Sequence, residues 1–240
     1  MRRAVGTLPL ILGLALAVVV LGAIVGALVY EHFEGYIPKK DAGPVRELGK
    51  FEAGAVVIRD VIADILIVES GEGGLQVRSN LPVVVNVSEG VLTVYCPRVK
   101  EKTAMGFRER NVCAEYKNGR IIIEVGRELD YLLVRDSIGD YTISANASRV
   151  TFENVVGDVE SLTLAGYGIK DLVGDVRIRA AGDVSIEDVV GDVEVSIPEN
   201  FSVRIYVGDV VGKVENEHRG EGTPLVVRIS DVVGRVRVEE

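Results

Sequence analysis

The chain has 240 residues, which allows one large domain or two small ones. Hydrophobic residues make up 48% of it, but aromatic residues only 5%, and Trp is absent, so Val and Ile carry the apolar mass and favour strands over helices. The formal net charge of −9 argues against nucleic acid and anionic lipid headgroups as partners, and favours a basic polyelectrolyte or cations.

The amino-terminal part predicts a membrane anchor. Leu8–Val29 is a run of 22 residues without a charged side chain. At ~1.5 Å per residue, a helix of this length crosses the roughly 30 Å of a bilayer core. We predict a transmembrane signal anchor over residues 8–30, preceded by residues 1–7. The alternative is a cleaved secretory signal, for which the apolar run is too long.

The charges around the predicted anchor set its orientation. Arg2 and Arg3 precede the apolar run, and Glu31 follows it. Because positive charge is retained on the inner side, residues 1–7 are predicted to be cytoplasmic. The chain is then a single-pass protein of the cell membrane with an extracellular carboxyl-terminal domain.

The predicted helix also contains a small-xxx-small spacing. Gly22 and Gly26 lie four residues apart, which lets two transmembrane backbones approach closely. We interpret these glycines as a helix-association face that forms a homodimer. The alternative is that glycine is simply common in membrane helices.

Three Asn-x-Ser tripeptides accompany the predicted export. They begin at Asn86, Asn146 and Asn200 and lie in predicted surface turns or at strand ends. An asparagine in this tripeptide is a glycosylation acceptor in exported proteins. These three residues are therefore the predicted glycosylation sites of a glycoprotein.

The part that follows the anchor divides into a linker and a domain. Residues 31–50 are polar and contain Pro38, Gly43 and Pro44, which is typical of a linker. Residues 51–240 consist of Val- and Ile-rich stretches bounded by Gly, Asn or Ser, without a sustained helical period. We predict that they form one extracellular β-strand-repeat domain.

The two cysteines bracket the one basic, non-periodic stretch, Pro97–Asn111. Cys96 and Cys113 are 17 residues apart. In an oxidising exterior, we predict a disulfide between them that closes this loop. The alternative is two unpaired thiols in strand interiors.

A turn unit recurs through the second half of the chain. Two aliphatic residues precede Gly-Asp-Val at Gly157, Gly174 and Gly191, at a period of 17 residues. This repeat predicts a β-solenoid of ~17-residue coils, with equivalent residues ~4.8 Å apart. An antiparallel meander or sandwich with short hairpins is the alternative. The predicted turn ladder consists of the aspartates that follow the glycines, Asp140, Asp158, Asp175, Asp192 and Asp209.

These Gly-Asp-Val units, with Gly139-Asp140-Tyr141 and Gly182-Asp183-Val184, resemble the putative-adhesin β-strand-repeat family of bacteria and archaea. The resemblance covers roughly residues 50–240. It implies a β-strand-repeat fold, often joined to a membrane segment. It also implies surface attachment or envelope maintenance rather than a reaction, since the family has no known biochemical activity.

The sequence contains no recognisable catalytic constellation. It lacks a Ser-His-Asp set, a zinc-ligand spacing and a phosphate-binding glycine loop, and its two histidines, His32 and His218, lie far apart. The turn aspartates are explained by local backbone hydrogen bonding, and cation binding by stacked carboxylates is the alternative. We predict no catalytic, cofactor-binding or metal-binding residues, and no cofactor.

We therefore predict a membrane-anchored cell-surface protein that acts in adhesion, as a scaffold or in envelope maintenance, and is not an enzyme. Its expected partners are a surface polymer or an envelope protein, and not nucleic acid. One alternative is a type IV pilin-like filament subunit, because Arg3-Ala4-Val5 and the apolar residues after it look like an archaeal pilin processing site. A lesser alternative is a polysaccharide-active β-helix enzyme.

Overall fold

The computed structural model describes residues 39–103 and 106–240. Within it, Lys40–Glu240 forms one compact unit. The predicted anchor over residues 8–30, including Gly22 and Gly26, lies outside the described residues, as does the start of the predicted linker.

The described chain consists of strands and one short 3-10 turn. The first five strands in chain order are β1 Lys40–Asp41, β2 Arg46–Phe51, β3 Ala55–Arg59, β4 Asp64–Glu69 and β5 Leu75–Ser79. The next are β6 Val84–Ser88, β7 Val91–Tyr95, β8 Arg98–Thr103, β9 Gly106–Asn111, the 3-10 turn Val112–Glu115, β10 Tyr116–Lys117 and β11 Arg120–Val125. The repeat region holds β12 Tyr131–Ile138, β13 Tyr141–Ile143, β14 Arg149–Val156, β15 Val159–Val173, β16 Val176–Val190 and β17 Val193–Ser196. The last are β18 Phe201–Val207, β19 Val210–Val211, β20 Val214–Asn216, β21 Thr223–Val233 and β22 Val236–Glu239.

Alternation of apolar and polar residues explains why these segments are strands. Along β15, buried and exposed side chains alternate for most of its 15 residues, as expected for a strand with one face on the core. The buried side chains of the core are mainly those of Val, Ile and Leu, which suit a pleated surface. Two aromatic rings, those of Tyr141 and Phe152, meet edge to face in the core with centroids 5.6 Å apart.

Among the described residues, eighteen strands form one sheet with two parallel ladders. One ladder runs in the spatial order β7-β3-β12-β14-β15-β16-β21-β18, and we call it the first face. The other runs β11-β4-β13-β15-β16-β17-β22-β20, and we call it the second face. The long strands β15 and β16 take part in both ladders. A strand of the first face and the strand of the second face that follows it across a turn are called a layer.

The spatial order departs from the chain order at the carboxyl-terminal end. Strand β21 pairs with β16 on one side and with β18 on the other. Residues 201–216 therefore form the outermost layer, although residues 223–239 follow them in the chain. The paired residues Val184 and Val227 are consequently far apart in sequence, whereas Val176 pairs with Val193.

The predicted all-β class is confirmed for the described residues, but the predicted β-solenoid of ~17-residue coils preceded by a transmembrane helix is wrong. The described chain is all-β, but its 18-stranded sheet combines the parallel ladders with antiparallel pairs such as β5–β11 and β6–β7. The number of residues that separates paired strands is not uniform. In the first layers, strands that are far apart in the chain pair with each other, such as β3 with β12. In residues 39–103 and 106–240, no α-helix occurs.

The predicted location also requires correction. Over the described residues, no helix is long and apolar enough to cross a membrane. Within the described residues, the prediction of a single-pass membrane protein with a cytoplasmic amino terminus is therefore not supported, and it is not retained. Strands also begin before the predicted domain boundary at residue 51, since β1 and all of β2 except Phe51 lie within the predicted linker.

A separate hairpin formed by β8 and β9 stands outside the main sheet. Cys96 and Cys113, the pair that we expected to be linked, form a disulfide at its base, with Cα atoms 5.8 Å apart. The Asn111 side-chain amide also donates to the Asp60 carbonyl oxygen at 2.6 Å, and Arg98 forms an ion pair with the Asp60 carboxylate. These contacts fix the basic stretch to the first layers.

A buried hydroxyl cluster lies inside the repeat region. The Tyr167 hydroxyl donates to the Thr163 carbonyl oxygen at 2.6 Å and lies 2.7 Å from the Ser161 hydroxyl. Because burial disfavours the phenolate, it raises the pKa of Tyr167 to about 12. The cluster satisfies the polar atoms of a side chain that packs in the core.

Candidate binding surface at the turn edge

The turn that joins the two faces has the same form in successive layers, and Asp171–Asp175 illustrates it. Asp171 has a φ of 54°, in the left-handed region that Asp and Asn tolerate better than most residues. Leu172 then points into the core, and Val173 points out. Gly174 follows with a φ of 146°, and a Cβ atom there would lie 2.2 Å from the Gly157 carbonyl oxygen, so only glycine fits. We call the stacked turns the turn edge.

The residues that begin these turns form a column that the sequence analysis missed. They share a left-handed backbone, with φ between 50° and 56°. Within the column, the Asn154 side-chain amide donates to the Asp136 carboxylate at 2.7 Å. The sequence does contain a signal for these residues, because each of them lies three residues before the glycine of its turn, or before Ala63 in the first turn. The column consists of Asp60, Asp136, Asn154, Asp171, Asp188 and Asp231.

A second column follows the glycines and contains most of the predicted turn ladder. Each carboxylate accepts a hydrogen bond from the backbone N–H of the equivalent residue in the next layer. The distances are 3.2 Å from Asp158 to Asp140, 2.9 Å from Asp175 to Asp158, and 2.9 Å from Asp192 to Asp175. The column extends to Asp64 at one end, and at the other the Arg235 N–H donates to Asp192 at 2.8 Å.

One predicted member of the ladder lies elsewhere. Val210 pairs with Val232, which places Asp209 level with Asp231 in the column that begins the turns. The structure therefore brings together Asp140, Asp158, Asp175 and Asp192, and separates Asp209 from them. The sequence analysis assigned Asp209 by its position after a glycine, but its neighbour Gly208 is not the glycine of this turn, which is Gly212.

The hydrogen bonds of the second column explain why aspartate recurs there. A carboxylate oxygen that accepts a backbone N–H joins one turn to the next. In residues 39–103 and 106–240, no group of three or more His, Cys, Asp or Glu side chains is arranged to hold a metal ion. The chemical role that the geometry gives these carboxylates is to connect the turns.

Between the two columns lies a row of outward-pointing aliphatic side chains, which we call the apolar column. Neighbouring members are directly paired, for example Val156 with Val173 and Val173 with Val190. Their side chains are 45 to 71% exposed. Six members at ~4.8 Å per layer form a row of ~24 Å. They are Ile138, Val156, Val173, Val190, Val233 and Val211.

The contiguity of the apolar column distinguishes it from scattered surface valines. Single exposed aliphatic residues are common on soluble proteins, whereas contiguous apolar patches rimmed by polar residues mark interaction sites. Here the rim is mainly acidic along both sides. At the carboxyl-terminal end, the side of the second column becomes basic, because Arg235 and Lys213 occupy the positions of the aspartates. The other side stays acidic, with Asp231 and Asp209.

A shallow groove lies beside the turn edge on the second face. Its volume is about 160 Å³, below the ~300–1,000 Å³ of sites that enclose small ligands. The charged side chains that line it pair across layers, with Arg177 Nε 3.6 Å from Glu194 Oε2. The Glu217 carboxylate, 2.7 Å from Arg237 Nη2, raises the pKa of that guanidinium. The groove is a surface of paired charges.

The other predicted sites lie away from the turn edge. Asn86 is exposed on β6, Asn146 is exposed before β14, and Asn200 is exposed just before β18. The structure does not bring these three asparagines together. The residues on which the pilin-like alternative depends, 3–11, lie outside the described part of the chain.

Comparisons with known proteins give fold-level likenesses only. No protein-family model and no curated protein matches the chain. One similar solved structure is a "putative cell adhesion protein" from Clostridium sporogenes, with 14% identity, a TM-score of 0.41 and coverage of 82% of this chain and 97% of that one. Another is a "putative adhesin" from Bacteroides fragilis, with 15% identity, a TM-score of 0.36 and coverage of 85% and 100%. A third is a "putative lipid binding protein" from Parabacteroides distasonis, with 13% identity, a TM-score of 0.33 and coverage of 80% and 96%. At these TM-scores, the likenesses carry no argument about function.

Proposed function

We propose that this protein is a non-catalytic, adhesin-like binding scaffold whose turn edge binds another protein. The observation that carries the proposal is the apolar column, a row of half-exposed aliphatic side chains that the parallel register holds in line. A rigid sheet fixes the spacing of these side chains, so that little order is lost when a partner binds.

The chemistry of the turn edge favours a basic amphipathic helix as the partner. Such a helix presents an apolar side chain about every 5.4 Å along one stripe, close to the ~4.8 Å between layers. Lys and Arg on either side of the stripe would face the two acidic columns. Charge complementarity of this kind increases the association rate and the specificity.

The magnitudes indicate that the partner must cover most of the column. Burying the exposed half of one such side chain contributes about 1 kcal/mol, and six contribute about 6 kcal/mol. Association costs about 4–15 kcal/mol, and each exposed ion pair returns at most about 1 kcal/mol. A helix of about 16 residues, which spans ~24 Å, meets this requirement, whereas a single turn of helix does not.

The binding proposal is tested with a defined probe, a fluorescent basic peptide of about 18 residues with a leucine stripe at helical spacing. Fluorescence anisotropy measures its affinity for wild-type protein and for the double variant Val173→Thr/Val190→Thr. Because threonine keeps the β-branched shape, the sheet is preserved while two methyl groups leave the apolar column. We expect affinity to fall about tenfold.

Two controls define the outcome. Val84→Thr/Val87→Thr changes two exposed valines of β6, which lies five strands from β15 in the pairing order, and is expected to leave affinity unchanged. A peptide with serine in place of leucine keeps the charge and is expected to bind far more weakly. Equal affinity of the wild-type protein and the Val173→Thr/Val190→Thr variant would refute the proposed site.

A further inference from the structure

The outermost layer at the carboxyl-terminal end has an open edge. Among the described residues, β18 and β19 pair only with β21, and β20 pairs only with β22. Their other sides present backbone N–H and C=O groups along two strands of the first face and one of the second. An edge of this kind is a template for pairing with another chain.

Side chains that inner layers bury are partly exposed in this layer. Val214 is 39% exposed, whereas its paired residue Val236 is 0% exposed. Ile205 is half-buried, and its partner Val227 is fully buried. One further layer against this edge would cover these side chains, as β21 and β22 cover their neighbours.

The edge strand itself lacks the features that prevent pairing. β18 reads Phe-Ser-Val-Arg-Ile-Tyr-Val, with one charged residue, Arg204, and no proline. Segments of six or seven residues with high β-propensity and little charge pair readily with other strands. Tyr206 and Val207 of this strand are also exposed.

The edge strand β2, on the antiparallel side of the sheet, is protected by contrast. Its pairing with β5 is interrupted by a bulge between Glu47 and Gly49. It also carries Arg46 and Lys50. Bulges and charged side chains discourage edge-to-edge pairing. The bulge and the charges therefore make β2 itself a poor partner for the β18 edge in head-to-tail stacking.

We propose that the β18 edge is a self-association surface at which two copies of this chain pair antiparallel through β18 into a closed dimer. The occupant follows from the shape of the edge. The unpaired backbone N–H and C=O groups lie on strands of both faces. A second copy of the chain supplies edge strands on both faces at the same separation. A single extended peptide would cover only one of them. A two-fold axis uses the same edge on both copies and closes the assembly.

The inference is tested on the unglycosylated full chain, because a glycan on Asn200 would lie beside β18. A non-ionic detergent keeps the apolar run Leu8–Val29 from causing association of its own. Sedimentation velocity measures dimerisation of the wild type and of Tyr206→Lys. With Arg204, the new lysine sets like charges across the pair, which is unfavourable. We expect the dimer dissociation constant to rise at least about tenfold.

Tyr131→Lys is the matched control, because Tyr131 is also exposed but lies on β12, which is paired on both sides. It is expected to leave dimerisation unchanged, and circular dichroism checks that both variants fold. Amide hydrogen exchange supplies a second measurement: residues 201–207 of the wild type should exchange more slowly as protein concentration rises. A monomeric wild type, or a dimer that survives Tyr206→Lys but is lost in Gly22→Leu/Gly26→Leu, would overturn the inference.

Discussion

Replacement of Gly174 by alanine tests whether the turns stack as the structure shows. Gly174 has a φ of 146°, a conformation that residues with a side chain rarely adopt, and holding alanine there costs about 1–3 kcal/mol. The new Cβ atom would also lie 2.2 Å from the Gly157 carbonyl oxygen and 3.2 Å from the Asp158 nitrogen. Since backbone cannot move aside as a flexible side chain can, displacing the layer costs about another 1–3 kcal/mol.

The combined loss of about 2–6 kcal/mol is a large part of the ~5–15 kcal/mol that stabilises a folded domain. Urea unfolding, followed by circular dichroism, should show a midpoint lower by roughly 1–3 M for Gly174→Ala. Gly73→Ala is the control, because a Cβ atom at Gly73 meets nothing within 4 Å. Its midpoint should stay close to the wild-type value. If Gly174→Ala unfolds within about 1 kcal/mol of Gly73→Ala, the stacked-turn geometry is refuted.

Three further predictions concern the ladder, the core and the domain boundary. Asp175→Ala should lower the free energy of unfolding by about 1 kcal/mol, because the Asp192 N–H loses its acceptor, and Asp175→Asn should lower it less. Calcium should not raise the melting temperature of the wild type. The raised pKa of Tyr167, about 12 against an ordinary value of 10.0, means that its stabilising contribution is complete below pH 10 and is lost as pH rises towards 12. Stability measured by urea unfolding should fall over that range, and less steeply in Tyr167→Phe. A fragment of residues 40–240 should be more stable than one of residues 51–240, since the shorter fragment removes β2 and exposes the edge of β5; equal melting temperatures would contradict this.

The parts of the fold that the sequence predicted are those where a residue type meets a strict backbone requirement. Gly157, Gly174 and Gly191 mark the turns because no other residue fits their conformation. The aspartates after them recur because their carboxylates accept hydrogen bonds from the next layer. Such local requirements leave a periodic signal in the sequence.

Other parts depended on pairings that local patterns do not determine. Val210-Val211-Gly212 and Val232-Val233-Gly234 have the same pattern, so either could follow the layer of Val190. The structure places Val233 next to Val190 and Val211 outermost. The choice depends on how the whole end of the sheet packs. The pairing of β3 with β12 and of β4 with β11 could not be predicted from the sequence either, because it also depends on how the whole sheet packs.

The candidate site was missed because its two defining features are weak in sequence. Asp and Asn at Asp171 and equivalent positions look like ordinary polar residues until their left-handed φ is known. In the pair Leu172-Val173, both residues are aliphatic, and only the sheet shows that Leu172 is buried while Val173 is exposed. The apolar column is a consequence of register, which aligns side chains from separate layers.

The most direct test of the turn edge as a binding surface is methyl nuclear magnetic resonance with selectively labelled valine. Titration of the wild-type protein with the leucine-stripe peptide should shift the methyl signals of the apolar column, including Val156, Val173 and Val190, while buried valines such as Val176 stay unchanged. Shifts confined to other surfaces, or no shifts at peptide concentrations that saturate the anisotropy signal, would contradict the proposed binding surface.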